Sequence, residues 1–115
     1  MSGRDAESRA REYLEERGLT CIEANYRCHP GELDLIMRAE STVVFVEVRF
    51  RKDHRYGGAL ESVDFRKQRR LRATAEHYLL RRYGTTEVSC RFDVVLITGQ
   101  PDGGDEQVDW IQNAL

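Results

Sequence analysis

The feature that narrows the fold most is a pair of strand-like segments separated by a short polar connection. Glu32-Leu33-Asp34-Leu35-Ile36-Met37 and Thr42-Val43-Val44-Phe45-Val46-Glu47-Val48-Arg49 flank Glu40-Ser41. Apolar, β-branched runs on either side of a polar pair predict a β-hairpin. A two-residue turn at Glu40-Ser41 sets the pairing, with Leu35 facing Val46, Leu33 facing Val48 and Met37 facing Val44 on one apolar surface. The other surface carries Ile36 opposite Phe45, Asp34 opposite Glu47 and Glu32 opposite Arg49. Directly opposed side chains have Cβ atoms about 4.5–5.5 Å apart, so Asp34 and Glu47 repel one another unless something cationic intervenes. A one-residue slip would separate the two acids, but it would drive Asp34 into the core. Two readings stay open. The pair is either a solvated surface neutralised by Arg49 and Arg51, or the seat of a divalent ion such as Mg²⁺, which takes oxygen ligands. Both acids are embedded among Leu, Ile and Val, where a charge without a partner is costly.

The remaining elements follow from spacing and punctuation. Ala6, Ala10, Tyr13 and Leu14 recur at helical intervals and Gly18 follows, which predicts a helix over residues 5–17. Leu19 to Asn25 reads as a strand, followed by a polar loop from Tyr26 to Gly31. A second helix, from Ser62 or Asp64 to about Tyr83, carries Lys67, Leu71, Ala75, Tyr78 and Leu79 on one stripe, with Gly84 as its stop. Cys90 to Thr98 is a further strand, residues 100–104 a turn, and Val108 to Ile111 a short edge strand. The order is αβββαβ with one strand to follow. No repeat or Pro/Gly/Ser linker divides the 115 residues, which are expected to form one domain.

Composition excludes several classes. No apolar run exceeds the four residues of Val43 to Val46, so no transmembrane helix is expected. The first residues lack the apolar stretch of a secretory signal. Cys21, Cys28 and Cys90 are odd in number and show no C-x-x-C spacing, which argues against a disulfide framework or zinc knuckle and for a reducing cytoplasm. His29, His54 and His77 are dispersed and read as loop or surface residues. No P-loop, nucleophile elbow or dinucleotide-binding glycine pattern is present. Asp93, inside an apolar strand, is expected to pair with an arginine, and Trp110 to anchor a core or an edge.

The net charge of −2 conceals an asymmetry. Residues 49–72 hold nine of the 18 Lys and Arg residues against three acids, a surplus of six positive charges in an otherwise acidic chain. Such a block suits a polyanion such as nucleic acid, and it suits a solvated helix face equally well.

Glu47-Val48-Arg49 following Gly31-Glu32-Leu33-Asp34 resembles the split D…(D/E)-x-K signature of restriction-endonuclease-like nucleases. Ala6-Glu7, Asn25-Tyr26-Arg27, Leu35-Ile36, Val44 to Arg51, Lys67-Gln68, Arg91 to Val95 and Trp110 to Ala114 extend the resemblance over nearly the whole chain. Together they resemble the YraN family of small bacterial proteins. The resemblance implies an α/β, restriction-endonuclease-like αβββαβ core, a central mixed sheet flanked by helices, and a relation to archaeal Holliday-junction resolvases. It further implies a Mg²⁺- or Mn²⁺-dependent endonuclease acting on DNA, including branched or structured DNA. Asp34 and Glu47 match the metal-binding acids, and Glu7 matches a first-helix acid directed into the same site. By spacing, Glu7 shares a helix face with Ala10 and Leu14; its other reading is a first-turn acid favoured by the helix dipole.

Arg49 departs from the motif lysine. An arginine keeps the charge and the hydrogen-bond donors but stays protonated, so it cannot serve as a base. In the nuclease reading Arg49 steadies charge developing on the phosphoryl oxygens. Arg51, Lys52, Arg55, Lys67, Gln68, Arg69 and Arg70 then contact the DNA backbone. The alternative is a non-cleaving DNA-binding or adaptor module that works with a DNA-processing protein partner. A two-fold-symmetric junction would be met by a homodimer.

Overall fold

The central hairpin forms in the expected register. Leu35–Val46, Ile36–Phe45, Met37–Val44, Arg38–Val43 and Ala39–Thr42 pair antiparallel around Glu40-Ser41, with Glu40 in the left-handed region at φ 55°. The computed structural model describes residues 3–52, 64–99 and 106–115, without the side chains of residues 3 and 4. Its elements are α1 (Gly3–Glu16), β1 (Thr20–Cys28), β2 (Gly31–Ala39), β3 (Thr42–Arg51), α2 (Phe65–Tyr83), β4 (Cys90–Thr98) and β5 (Gln107–Ile111). The strands form one sheet in the order β1-β2-β3-β4-β5. Only β3 and β4 run parallel, because a helix joins them, as parallel neighbours require. The chain is thus an α/β fold whose mixed central sheet is flanked by helices, in the order read from the sequence.

Each helix caps its own core. Ala6, Ala10 and Leu14 of α1 are buried against Leu35, Met37, Val44, Val46, Val95 and Ile97. Leu71, Ala75, Tyr78 and Leu79 of α2 pack with Tyr26, Leu33, Ile36, Val43 and Phe45. The bounds of α2 have local causes. The Asp64 side chain accepts the Lys67 amide at 2.8 Å, and Gly84 supplies the left-handed cap at φ 74°.

Two features differ from the sequence reading. Tyr26, Arg27 and Cys28 continue β1 and pair with Leu33, Glu32 and Gly31, so only His29-Pro30 turn the chain. Tyr26 is the reason. It is buried, its ring meets Tyr78 edge-on with centroids 5.3 Å apart, and its hydroxyl bonds His77 Nδ1. The apolar surface of the hairpin is also not continuous. Leu33 and Leu35 are two apart on one strand, yet Leu33 joins the α2 core and Leu35 the α1 core. Leu33 therefore does not sit with Val48, which packs on the α1 side. The inversion falls at Asp34 and at Asn25 beside it, between the pairs Ala24–Leu35 and Tyr26–Leu33; Asn25 takes a left-handed φ of 54°.

Asp93 is fully buried and holds the C-terminal segment in place. Its carboxylate accepts from Arg91 Nε at 3.1 Å, Trp110 Nε1 at 2.9 Å and the Asn113 amide at 2.8 Å. The expected arginine partner is present, and Trp110 is the anchor by which β5 reports to the same acid. Among the described residues, no helix is long and apolar enough to cross a membrane. Replacing Asp93 with Ala strands three donors, one of them charged. The expected loss is about 3–5 kcal/mol, measured by urea denaturation.

Candidate functional site

The site begins where the β2–β3 ladder stops. Backbone pairing ends at Leu35–Val46, and beyond it the Asp34 carboxylate replaces a strand carbonyl, with Oδ2 accepting the Val48 amide at 2.9 Å. Asp34 is thereby fixed at the mouth of the hairpin. One carboxylate oxygen each from Glu7, Glu32 and Asp34 lie within 4.8 Å of one another. Glu7 reaches the cluster from α1, one turn before buried Ala10. Glu32 lies on β2 two residues before Asp34, and Arg27 on the neighbouring strand approaches it at 3.2 Å.

Electrostatics mark Asp34 as the least comfortable of these acids. Burial is the main cause that pushes its carboxyl up to about 7, followed by repulsion from Glu47. The Val48 amide opposes the shift, while Glu7 and Glu32 add to it. Glu47 itself is buried on β3 and directed to a different set of partners. Lys67 Nζ stands 3.1 Å and Arg49 Nη2 3.4 Å from its Oε1. The Arg49 contact is an ion-pair distance without hydrogen-bond alignment. Arg49 Nε and Nη2 are both buried and have no hydrogen-bond partner among the described residues.

The structure therefore brings Glu7 and Asp34 together, adds Glu32, and sets Glu47 beside them under two cations. Lys67 lies in the first turn of α2, and Gln68 follows it, half-buried, with its amide on the Asp64 carbonyl at 3.0 Å. Arg51 is tied to β4, its Nε donating to Thr98 Oγ1 at 3.0 Å. Lys52 is exposed at the end of β3, and Arg69 and Arg70 are exposed on α2. Arg55 lies outside the described residues. Glu32 is the residue that sequence reasoning assigned elsewhere, opposite Arg49. Its signal was only its closeness in sequence to Asp34, because the inversion between Leu33 and Leu35 breaks strict alternation there.

Three carboxylates at this spacing can serve a hard cation. Metal–oxygen distances of about 2.1 Å put opposite ligands of an octahedron about 4.2 Å apart, close to the spread of the cluster, and all-oxygen donors suit Mg²⁺ or Mn²⁺. On the Glu47 side, Lys67 and the unsatisfied donors of Arg49 suit an anion such as a phosphodiester.

Comparison with known proteins places this architecture. The sequence profile of a family described as "Uncharacterised protein family UPF0102" matches residues 6–97, most of the chain from the first buried residue of α1 almost to the end of β4. A UPF0102 protein of Methylococcus capsulatus is 51% identical over 115 residues, covering 100% of this chain and 90% of the relative. One from Nitrosomonas europaea is 50% identical over 113 residues, covering 98% and 92%. A Pseudomonas fluorescens relative is 47% identical over 115 residues, covering 100% and 92%. The chain belongs to the UPF0102 family, the family to which the YraN resemblance points.

The position of Asp34 has a thermodynamic signature. The folded chain keeps the Asp34 proton up to about pH 7, whereas the unfolded chain releases it near pH 4. Folding stability contributed at this position therefore falls as pH rises from about 4 to about 7, and the loss is complete above that window. Asp34→Asn keeps an acceptor for Val48 and removes the charge. Its thermal denaturation should match the parent at pH 4 and exceed it by of order 2 kcal/mol at pH 8.

Proposed function

We propose that this protein is a Mg²⁺- or Mn²⁺-dependent endonuclease-like protein acting on DNA phosphodiester bonds, branched DNA included. The observation that carries the reading is the convergence of Glu7, Glu32 and Asp34 within 4.8 Å, beside a buried Glu47 that holds Lys67 and Arg49. Glu7, Glu32 and Asp34 would hold the ion. Glu47, whose charge is already felt at Asp34, would have to leave Lys67 and Arg49 to add a fourth oxygen. When bound, the ion lowers the pKa of water and polarises a phosphoryl oxygen. The residues of the chain do the rest. Asp34 is oriented by the Val48 amide, and it must give up its proton to serve as an oxygen ligand. Lys67 and Arg49, held by Glu47, keep positive charge beside the site that offsets charge building on the phosphate oxygens. Lys52, Arg69 and Arg70 extend the positive surface along the strand.

A second reading has its own observation. Arg49 occupies the motif position of lysine and cannot become a base. With the positive charge kept and the base lost, the site is equally suited to hold a phosphate without cleaving it, as in a DNA-binding or adaptor module beside a processing enzyme.

The two readings separate in one experiment. Purified protein and its Asp34→Asn and Glu7→Gln variants are incubated with branched and linear DNA in Mg²⁺, in Mn²⁺ and in chelator. The nuclease reading expects products only with metal, and at least about a hundredfold fewer with either variant. It also expects Mn²⁺ to raise the thermal midpoint of the parent and not of Asp34→Asn. DNA binding without products and without a metal-dependent midpoint would establish the adaptor reading. Cleavage unaffected by Asp34→Asn would remove Asp34 from the mechanism.

A further inference from the structure

The outer flank of α2 carries a groove that neither the acid cluster nor its cations use. It is a shallow, open depression of about 390 Å³ lined by Pro30, Arg66, Arg69, Arg70 and Ala73. The arginines follow helical spacing, so their guanidinium groups line one side of the helix. The opposite wall is the β1–β2 turn, held close by Gly31. A Cβ on Gly31 would lie 3.1 Å from Thr74 Oγ1 and 3.9 Å from Arg70 Cβ, so turn and helix meet almost without a gap.

Two further observations give the groove a ligand. Next to its Arg69 stands Phe65, 72% exposed, which is unusual for a large aromatic side chain at the first residue of a helix. The Arg69 guanidinium lies 5.7 Å from the Phe65 ring centroid, a cation–π distance that steadies the ring. The groove and the site draw on the same two segments of the chain. Pro30 precedes Glu32 by two residues in one segment, and Arg66 precedes Lys67, which holds Glu47, in the other. An exposed aromatic face beside cations that track a backbone is the arrangement that binds single-stranded nucleic acid, because every base has a stacking face. A paired base inside a duplex keeps its faces covered by its neighbours, so Phe65 has nothing to stack on there.

We infer that this groove holds an unpaired nucleotide, its base stacked on Phe65 and its backbone gripped by Arg66, Arg69 and Arg70. The inference rests on the DNA-directed reading above and adds the substrate class: DNA with single-stranded or unstacked bases, in preference to continuous duplex.

The test is binding in chelator, so that cleavage plays no part. The probes are a fluorescein-labelled oligothymidylate of about 20 nucleotides and a blunt duplex of the same length. The parent should bind the single strand more tightly. Phe65→Ala should weaken single-strand binding roughly five- to a hundredfold and move duplex affinity less than about twofold, while Phe65→Trp restores the preference. Arg69→Gln should weaken binding to both probes and lower the salt slope by about one. Equal affinity for both probes, or a Phe65→Ala variant indistinguishable from the parent, would overturn the inference even if metal-dependent cleavage is found. A Phe65-dependent single-strand preference in a protein that yields no metal-dependent products would uphold the groove and remove the nuclease reading. Phe65 is largely solvent-exposed, so its removal leaves the core intact.

Discussion

A carboxylate standing in for a strand carbonyl is the contact on which the site depends. At Asp34 the β2–β3 ladder ends, and the Val48 amide turns to a side-chain oxygen. That exchange satisfies a buried donor, which would otherwise cost about 1–3 kcal/mol, and it fixes the acid where the two strands part. The sheet contributes more than a platform. On the turn side of this point the hairpin is buried on both faces between α1 and α2. On the other side, Glu32 and Asp34 turn their carboxylates toward Glu7. Desolvation at Asp34 and the crowd of neighbouring acids are the cost of that placement, and a cation is the natural relief.

The arrangement also divides charge into two compartments. Among the described residues, the ion pair at Glu7, Glu32 and Asp34 is Arg27 on Glu32. Glu47, whose charge is felt at Asp34, is paired with Lys67 and Arg49. Exposed ion pairs are worth little, but Glu47 is buried, and removing one member of such a group leaves a charge uncompensated. The consequence is directional. One flank gathers carboxylates and the other pairs a carboxylate with two cations, which is the polarity on which the proposed metal-assisted phosphodiester reading rests.

Much of this was legible in the residues. The Glu40-Ser41 turn fixed which side chains of β2 and β3 oppose one another near the turn, since register follows loop length. The stripe Leu71, Ala75, Tyr78 and Leu79, with Asp64 before it and Gly84 after it, marked α2 almost to the residue. What the sequence hid was the break at Asn25 and Asp34. A strict two-residue alternation puts Leu33 and Leu35 on one face, and nothing in the local sequence announces that an asparagine in a left-handed conformation will invert it. The same irregularity moved Glu32 into the acid cluster. Tyr26 was obscured differently: its strand role comes from tertiary contacts with Tyr78 and His77, whereas its neighbours Arg27, Cys28 and His29 read as polar loop. The grouping of Glu7 with β2 rested on resemblance and on helix periodicity, because no local pattern reports a contact between residues so far apart in the chain.

The two outermost strands of the sheet bear on how this molecule meets others. β1 carries a register irregularity between Cys21 and Glu23 and the left-handed Asn25, while β5 is only five residues long. Neither presents the long, flat, regular row of free amides and carbonyls that a foreign strand needs as a template. Continuation of the sheet from one molecule into the next is therefore disfavoured. A second copy would have to dock through helix faces or connecting segments, leaving the backbone ladder closed within each molecule.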